Sequence, residues 1–331
     1  MNEPIFIARQ DTLEQEILPA HWLAQYKLFG EESYTFQNKG IWKKLCMSSA
    51  AANDRDIHAE ALEEMLTTFS AEHTGKWMLT VYGMDAAVLE GLATMAAIAA
   101  NGTAMAAVAG NALLMHAITN SETAMQAISR SQTAMQRIAN STTAMDAIGG
   151  SRIARDAVQA SPYYNSYIKE NDMAIAKLAV ALANLESAGY SGMAGVAADS
   201  TAMTAVAASS TAMTAVAASA TAMGKIAAVD AALSKLAAST TAMDALYARK
   251  KKLNGGSASK SGKFIILEIS ASNAFNTSKY GYATLSDGSK PDWSSYLAKY
   301  AFFRKYPKYA TYMLNDTDSD DYIYYFDIAS P

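Results

Sequence analysis

A ten-residue repeat occupies the middle of the chain and limits its possible folds more than any other feature. Blocks such as SETAMQAISR, SQTAMQRIAN and STTAMDAIGG follow one another from Ser121 and share the template S-x-T-A-M-x-A-I/V-x-x. Repetition at a fixed period is typical of proteins in which each unit buries its apolar side against neighbouring units. The sequence therefore predicts a stacked or fibrous architecture.

Methionine followed three residues later by an aliphatic residue marks each repeat and defines two arrays. The first array covers residues 85–160, and the second, in a shifted frame, covers residues 191–248. Methionine and branched aliphatic side chains suit the packing between repeats, although Arg155 and Leu233 occupy the methionine position in two of them. The predicted stacking residues are Met105, Val108, Met125, Ile128, Met135, Ile138, Met145, Ile148, Met203, Val206, Met213, Val216, Met223 and Ile226.

The period of ten argues against one straight helix. Ten residues turn an α-helix by about 1000°, so the apolar stripe would step back by about 80° in each repeat. Many repeats carry a threonine with Gln or Asp three residues later, such as Thr123 with Gln126, and this pattern resembles a helix N-cap. We therefore predict a solenoid of two-turn helices. The alternatives are a long helix in a steeply wound oligomeric coiled coil and a β-helix, although alanine and methionine form strands poorly.

The segments around the arrays have different compositions. Residues 1–84 carry three of the four tryptophans, which suit a small core, and we predict a mostly helical head there. Residues 161–190, between the arrays, predict a corner followed by a connecting helix, because Pro162 and several tyrosines interrupt the repeat. Residues 249–262 are rich in lysine, glycine and serine and predict a flexible linker.

After the linker the sequence favours strands. Residues 263–331 contain four runs of β-branched and aromatic residues, which predict a small antiparallel β-domain. The whole chain is therefore expected to be mainly α with a β tip, in the α+β class. Ten of the 18 tyrosines lie in this last segment. A tyrosine-rich sheet suits recognition of proteins or sugars, but ordinary half-exposed sheet faces would have the same composition. The candidate binding residues are Tyr280, Tyr282, Tyr322 and Tyr324.

Charge and composition exclude several classes of function. With 27 Lys+Arg against 31 Asp+Glu the chain has no basic excess, so we expect no nucleic-acid partner. One cysteine and four histidines are too few for a structural zinc site. The apolar stretches are interrupted by charged residues, which predicts neither a signal peptide nor a membrane span. The catalytic motifs of hydrolases, zinc proteases and phosphate-binding enzymes are missing, so we expect no enzyme activity, no catalytic residues and no cofactor.

An acidic run near the C-terminus resembles the start of a calcium loop. Asp316, Asp318 and Asp320 alternate as calcium ligands do, but Asp321 replaces the glycine that such a loop needs for its sharp turn. The following residues also favour a strand rather than a helix. The sequence therefore favours an acidic hairpin turn over a calcium site, and we expect no metal.

Blocks such as STAMTAVAAS, followed by the Gly/Ser segment and by KFIILEISAS, resemble the sequences of tailed-bacteriophage virion proteins. The resemblance covers residues 95–331 and implies a non-enzymatic structural component of a tail fibre, baseplate or collar/whisker. It implies a location in the virion after synthesis in the host cytoplasm. It also implies that the N-terminal head docks on other virion proteins and that the C-terminal domain forms a tip.

The residues alone indicate a repeat-built spacer between a head and a tip. Apolar stacking surfaces also favour self-association, so we expect a homo-oligomer. The alternative function is a receptor-binding or adhesin protein whose tyrosine-rich C-terminal domain binds a host glycan or surface protein.

Overall fold

In a computed structural model the chain is described at residues 86–89, 92, 94–271, 281–292 and 296–331. The predicted helical head, residues 1–84, lies outside the described residues. The described part is mainly helical with a small antiparallel sheet near its C-terminal end, which confirms the α+β class. The chain divides into two compact units, Met1–Ile168 and Lys169–Pro331.

The described part of the first unit is a succession of short helices, and each repeat from Met95 to Gln159 forms one of them. They are α1 (Ala86–Leu89), α2 (Met95–Ala100), α3 (Gly102–Gly110), α4 (Ala112–Thr119), α5 (Glu122–Ser129), α6 (Gln132–Ala139), α7 (Thr142–Gly150), α8 (Arg152–Gln159) and α9 (Tyr164–Tyr167). From α2 to α8, helices pack against their neighbours in sequence and, more extensively, against the helix three positions later. Helix α5 thus packs on α2, α6 on α3, α7 on α4 and α8 on α5.

The second unit begins with the same kind of helical array. Its helices are α10 (Asp172–Leu182), α11 (Met193–Ala198), α12 (Ser200–Ala208), α13 (Ser210–Ala217), α14 (Ala220–Ala227), α15 (Asp230–Ala238) and α16 (Thr240–Tyr247). Helix α13 packs on α10, α14 on α11, α15 on α12 and α16 on α13. In both units, therefore, helices of the array pack on the helix three positions earlier.

The breaks between helices exclude the two alternative architectures for the arrays. The chain leaves the helical conformation at the start of most repeats, for example at Ser131 with φ −101° and ψ 119°. One long helix is therefore wrong, and so is a β-helix, because each repeat forms an α-helix. The predicted cap at Thr123 is also wrong. The N-cap is Ser121, whose side chain accepts a hydrogen bond from the backbone N–H of Ala124.

The second unit ends in an antiparallel sheet. Its strands are β1 (Lys251–Asn254), β2 (Ala258–Ser270), β3 (Gly281–Leu285), β4 (Tyr296–Leu297), β5 (Ala310–Asn315) and β6 (Tyr322–Asp327). Five of them lie in the order β1-β6-β2-β5-β3, and the two-residue β4 pairs with β2. The short helix α17 (Ala301–Lys305) lies between β4 and β5 in the chain.

The prediction of a flexible linker at residues 249–262 is wrong. Strand β1 pairs with β6, with Lys252 opposite Tyr324, and the first part of β2 pairs with β5. The glycines serve the tight turn between β1 and β2. Gly256 has φ +81°, and a Cβ on Gly255 would lie 1.9 Å from the carbonyl oxygen of Asp318. Glycine and serine here satisfy the geometry of a turn and do not supply flexibility.

The sheet shares a core with the helices of its unit. Ile265, Leu267, Phe303, Phe326 and Ile328 belong to the same buried cluster as the apolar residues of α10–α16. A second cluster has a sheet core of its own, formed by Phe264, Ile266, Ile269, Ala283, Leu285, Phe302, Ala310, Met313, Ile323 and Tyr325. The predicted array 191–248 and β-domain 263–331 therefore form one unit, while the predicted corner 161–190 is divided between the two units.

Candidate functional site

The stacking residues predicted from the repeat all lie in the interior. Each of the fourteen methionine, isoleucine and valine side chains has 0% exposure. In a typical repeat the Ala-Met pair and the Ile/Val-Ala pair are buried, whereas the residues between the pairs are exposed or half-buried. The alanines beside the large side chains permit close approach of neighbouring helices. The spacing thus gives each two-turn helix one fully buried side.

The serine at the start of a repeat makes two hydrogen bonds with different partners. The Ser141 hydroxyl oxygen accepts a hydrogen bond from the N–H of Ala144 at 3.2 Å, which caps α7. The same hydroxyl donates to the carbonyl oxygen of Ala109 at 2.6 Å, near the end of α3. Helix α3 lies one layer before α6, the helix that precedes Ser141 in the chain. The Ser141 side chain therefore both caps α7 and links it to the preceding layer.

The same pair of hydrogen bonds recurs along the arrays. Ser131 donates to the carbonyl of Ala99 and Ser151 to that of Thr119, each across 32 residues. Ser239 repeats this arrangement in the second unit by donating to the carbonyl of Ala207. Local sequence rules could not identify these bonds, since they depend on which helix lies alongside.

The start of the second array departs from this spacing. Ser209 donates to the carbonyl of Leu182 at 3.0 Å, across 27 residues, and Ser219 donates to the carbonyl of Lys169 at 2.6 Å, across 50 residues. The longer α10 and the segment after it account for the difference. That segment is held by the fully buried Lys177, whose ammonium group donates to the carbonyl of Ser187 at 3.0 Å.

The candidate tip tyrosines do not form one group. Tyr280 lies outside the described residues. Tyr282 lies on β3, where its ring centroid is 5.5 Å from that of Tyr312. Tyr322 and Tyr324 lie on β6, with ring centroids 4.6 Å apart, and strands β2 and β5 lie between β6 and β3. The structure therefore brings together only Tyr322 and Tyr324 of the described candidates.

Residues outside the predicted set complete a surface around this pair. The Tyr247 ring, at the end of α16, makes an edge contact with Tyr324 at 6.0 Å between centroids. The ammonium group of Lys250 lies 4.1 Å from the Tyr247 centroid, and that of Lys252 lies 5.0 Å from the Tyr322 centroid. We call these five residues the tyrosine–lysine surface. The rings are half-buried and both lysines are exposed, so the surface combines aromatic and cationic groups.

The Glu268 carboxylate binds two tyrosine hydroxyl groups of the tyrosine–lysine surface. It accepts a hydrogen bond from the Tyr247 hydroxyl at 2.5 Å and from the Tyr322 hydroxyl at 3.4 Å. Burial raises the pKa of Tyr247, and the hydrogen bond to the Glu268 carboxylate raises it further. Burial likewise raises the pKa of Tyr322. Both tyrosines are therefore neutral hydrogen-bond donors at physiological pH.

A polar contact fastens the segment before α17 to helix α16. The Tyr300 hydroxyl and the Lys299 ammonium group both donate to the Asp244 carboxylate, the latter at 3.1 Å. Arg304 donates to the hydroxyl of Thr240 at 3.0 Å. The hydrogen bond from Tyr300, with that from Lys299, holds the pKa of Asp244 below its ordinary value. Tyr300 adopts a left-handed backbone conformation, with φ 72°, in making this contact.

The acidic run forms a turn between β5 and β6, as the sequence favours. The Ser257 hydroxyl donates to the Asp316 carboxylate, and the N–H of Asp321 donates to the carbonyl of Asp318 at 3.0 Å. Within the described ranges, no group of three or more His, Cys, Asp or Glu side chains is placed to hold a metal ion.

A search of the described helices finds none that is both long and apolar enough to cross a membrane.

The sequence matches no protein-family model and no curated protein.

Proposed function

We propose that the chain is a structural spacer whose arrays coil as solenoids with three helices in each turn. Two independent observations support this geometry: helices pack most extensively on the helix three positions away, and capping serines donate to carbonyls 32 residues earlier. Packed helix axes are about 8–10 Å apart, so thirty residues would add one layer of about that height. The length of such a spacer follows from its number of repeats.

The serine hydrogen bond is the observation that carries this proposal. A stack held only by apolar contacts could slide, since methionine adapts to many partners. A hydrogen bond from Ser141 to one particular carbonyl, that of Ala109, favours a single register between layers. A stack with fixed register transmits position and force along its length, as a spacer must.

The spacer is proposed to act in a tailed-bacteriophage virion, as a non-enzymatic part of a tail fibre, baseplate or collar/whisker. The resemblance of the repeat blocks, such as STAMTAVAAS, supports this class. In this role the N-terminal segment docks on other virion proteins, and the C-terminal unit extends away from them.

Electron microscopy of purified virions tests the location. A gold-labelled antibody raised against residues 251–331 should mark a fixed site on the tail or collar, and mass spectrometry of the same particles should detect the chain. Detection of the chain in infected-cell lysate but not in purified particles would overturn the virion assignment.

The tyrosine–lysine surface favours a second candidate function, the binding of a host glycan or surface protein. Half-exposed tyrosine rings beside exposed lysines combine apolar area with hydrogen-bonding and cationic groups. The test compares binding to host cells and to their purified surface polysaccharides. The affinity of the double variant Tyr322→Ala with Tyr324→Ala should be at least tenfold lower than that of the parent. The affinity of Tyr282→Ala, on β3, should equal that of the parent. Equal binding by the double variant and the parent would exclude this function for the surface.

A further inference from the structure

The last turn of the second array is covered by the C-terminal sheet. Its apolar side chains on α14–α16 are as buried as those of the preceding helices. Met223, Ile226, Leu233, Leu236, Met243 and Leu246 all have 0% exposure. Residues of β2, β6 and α17 belong to the same buried cluster, in which α17 packs on α15 and β6 packs on α16. The sheet segment therefore lies against two of the three helices in the last turn of the array.

The covered helices have the surface that binds another turn of the same repeat. Helix α13, with sequence STAMTAVA, packs against α16, with sequence TTAMDALY, and both follow one template. Helix α16 would therefore present to a further helix of the same kind the surface that α13 presents to α16. After Tyr247 no further repeat follows in the sequence. Repeat arrays whose ends are uncovered associate through them.

We propose that the C-terminal sheet is an end cap that prevents the second array from pairing, end to end, with the array of a second copy of this chain. The inference rests on the three-helix turn proposed above. The occupant of the uncovered end is a second copy because the end is built from the repeat that already packs against itself. Because each helix in the array packs on a helix three positions earlier and on one three positions later, its two sides differ, and the second copy adds head to tail.

The contacts of the cap separate into an apolar and a polar part. Phe303, on α17, has 0% exposure within the shared cluster. Around it, Tyr300 and Lys299 hold Asp244, and Lys308 lies 3.7 Å from Asp230 on α15. The lysine ion pairs are partly exposed and weak, so the buried apolar residues of the sheet segment, Phe303 among them, contribute most of the attachment.

The test measures mass by light scattering across a hundredfold range of concentration, on the full chain. Phe303→Asp places a charge in the contact between sheet and array. This variant should exceed the parent's mass as concentration rises while keeping the helical circular dichroism. Lys305→Asp, an exposed change on the same helix, is the matched control and should keep the parent's mass. Parental mass at every concentration with full helical signal in Phe303→Asp would overturn the proposal.

A milder variant decides the outcome if Phe303→Asp loses its helical signal. Phe303→Ala removes the buried ring of α17 without placing a charge in the core. It should show a smaller, concentration-dependent rise in mass, and parental mass at every concentration would overturn the end cap. Failure of the three-helix turn itself is distinguishable, because spin labels at Ala96→Cys on α2 and Asp156→Cys on α8 would then lie much farther apart than about 16–20 Å, the span of two interhelical steps.

Discussion

At the scale of single residues, the serine at the start of a repeat both caps a helix and links it to another layer. A hydroxyl can accept one hydrogen bond and donate another. Ser141 uses both capacities, toward Ala144 and toward Ala109. The sequence offers two hydroxyl residues in most repeats, and the capping pattern favours Thr143, which has Asp146 three residues later, over Ser141. Which hydroxyl caps the helix depends on the position of a carbonyl group in another layer, and a local sequence pattern does not show that position.

Replacing this serine tests its double role. We expect Ser141→Ala to lower the free energy of unfolding by about 1–3 kcal/mol, because α7 loses its cap and the Ala109 carbonyl loses a hydrogen-bond donor. The measurement is urea denaturation followed by circular dichroism. Thr142→Ala, at the next and exposed position, is the control and should change the free energy by less than about 0.5 kcal/mol. Equal effects from the two changes would contradict the account.

The methionine position tests packing in the same way. Leu233 occupies this position in its repeat and is as buried as the methionines, so leucine fits the site. We therefore expect Met213→Leu to cost less than about 1.5 kcal/mol and Met213→Ala about 2–5 kcal/mol in free energy of unfolding. Urea denaturation of both variants gives the comparison. Similar costs for leucine and alanine would show that volume does not matter there.

At the scale of elements, the sequence predicts strands well where both period and composition agree. The runs near residues 264–269, 309–314 and 322–328 correspond to parts of β2, β5 and β6. The sequence fails at residues 249–262, because Gly/Ser composition is shared by flexible linkers and tight turns. The difference lies in the partners: β1 pairs with β6 and the start of β2 with β5, and both partners lie far along the chain.

Two glycine substitutions distinguish a turn from a linker. Gly255→Ala should lower the free energy of unfolding by more than about 1 kcal/mol, because its Cβ would lie 1.9 Å from the Asp318 carbonyl oxygen. Gly150→Ala, at the end of α7 with no atom within 4 Å of the new Cβ, should be neutral or stabilising by up to about 1 kcal/mol. Thermal denaturation checks both. A neutral Gly255→Ala would support a flexible linker.

The contact between α16 and the Tyr300 segment should depend on pH. The pKa of Asp244 is lowered in the folded chain, from 3.8, mainly by the hydrogen bond from Tyr300. Its stabilisation is therefore present above pH 3.8 and is lost as the pH falls through the folded pKa. The Asp244 side chain is 57% exposed, so we expect less than about 1 kcal/mol.

Urea denaturation of the parent and Asp244→Asn at several pH values measures this contribution. The difference in free energy of unfolding should be constant near pH 6 and should shrink below pH 4. Asp320→Asn, in the exposed β5–β6 turn, provides a control for the general effect of removing a carboxylate. A difference that grows as the pH falls would contradict the sign of the Asp244 shift.

At the scale of the whole molecule, the central claim is that repeats coil with three helices in a turn. The period of ten predicts that helices break, and the structure confirms short helices in each repeat. It does not predict the angle between successive helices, so the partner three positions away could not be derived from sequence. The sequence also does not predict where the apolar residues of the sheet pack. They could form the core of a separate domain, but they share the core of the second array.

One distance within the first unit tests that claim most directly. Ala96 on α2 and Asp156 on α8 are both exposed and lie two layers apart through α5. Spin labels at Ala96→Cys and Asp156→Cys, in a Cys46→Ser background, allow pulsed electron paramagnetic resonance to measure their separation. Three helices per turn predict about 16–20 Å between the two backbones, from two interhelical steps. A separation near 90 Å, the length of sixty residues in one helix, would contradict the account.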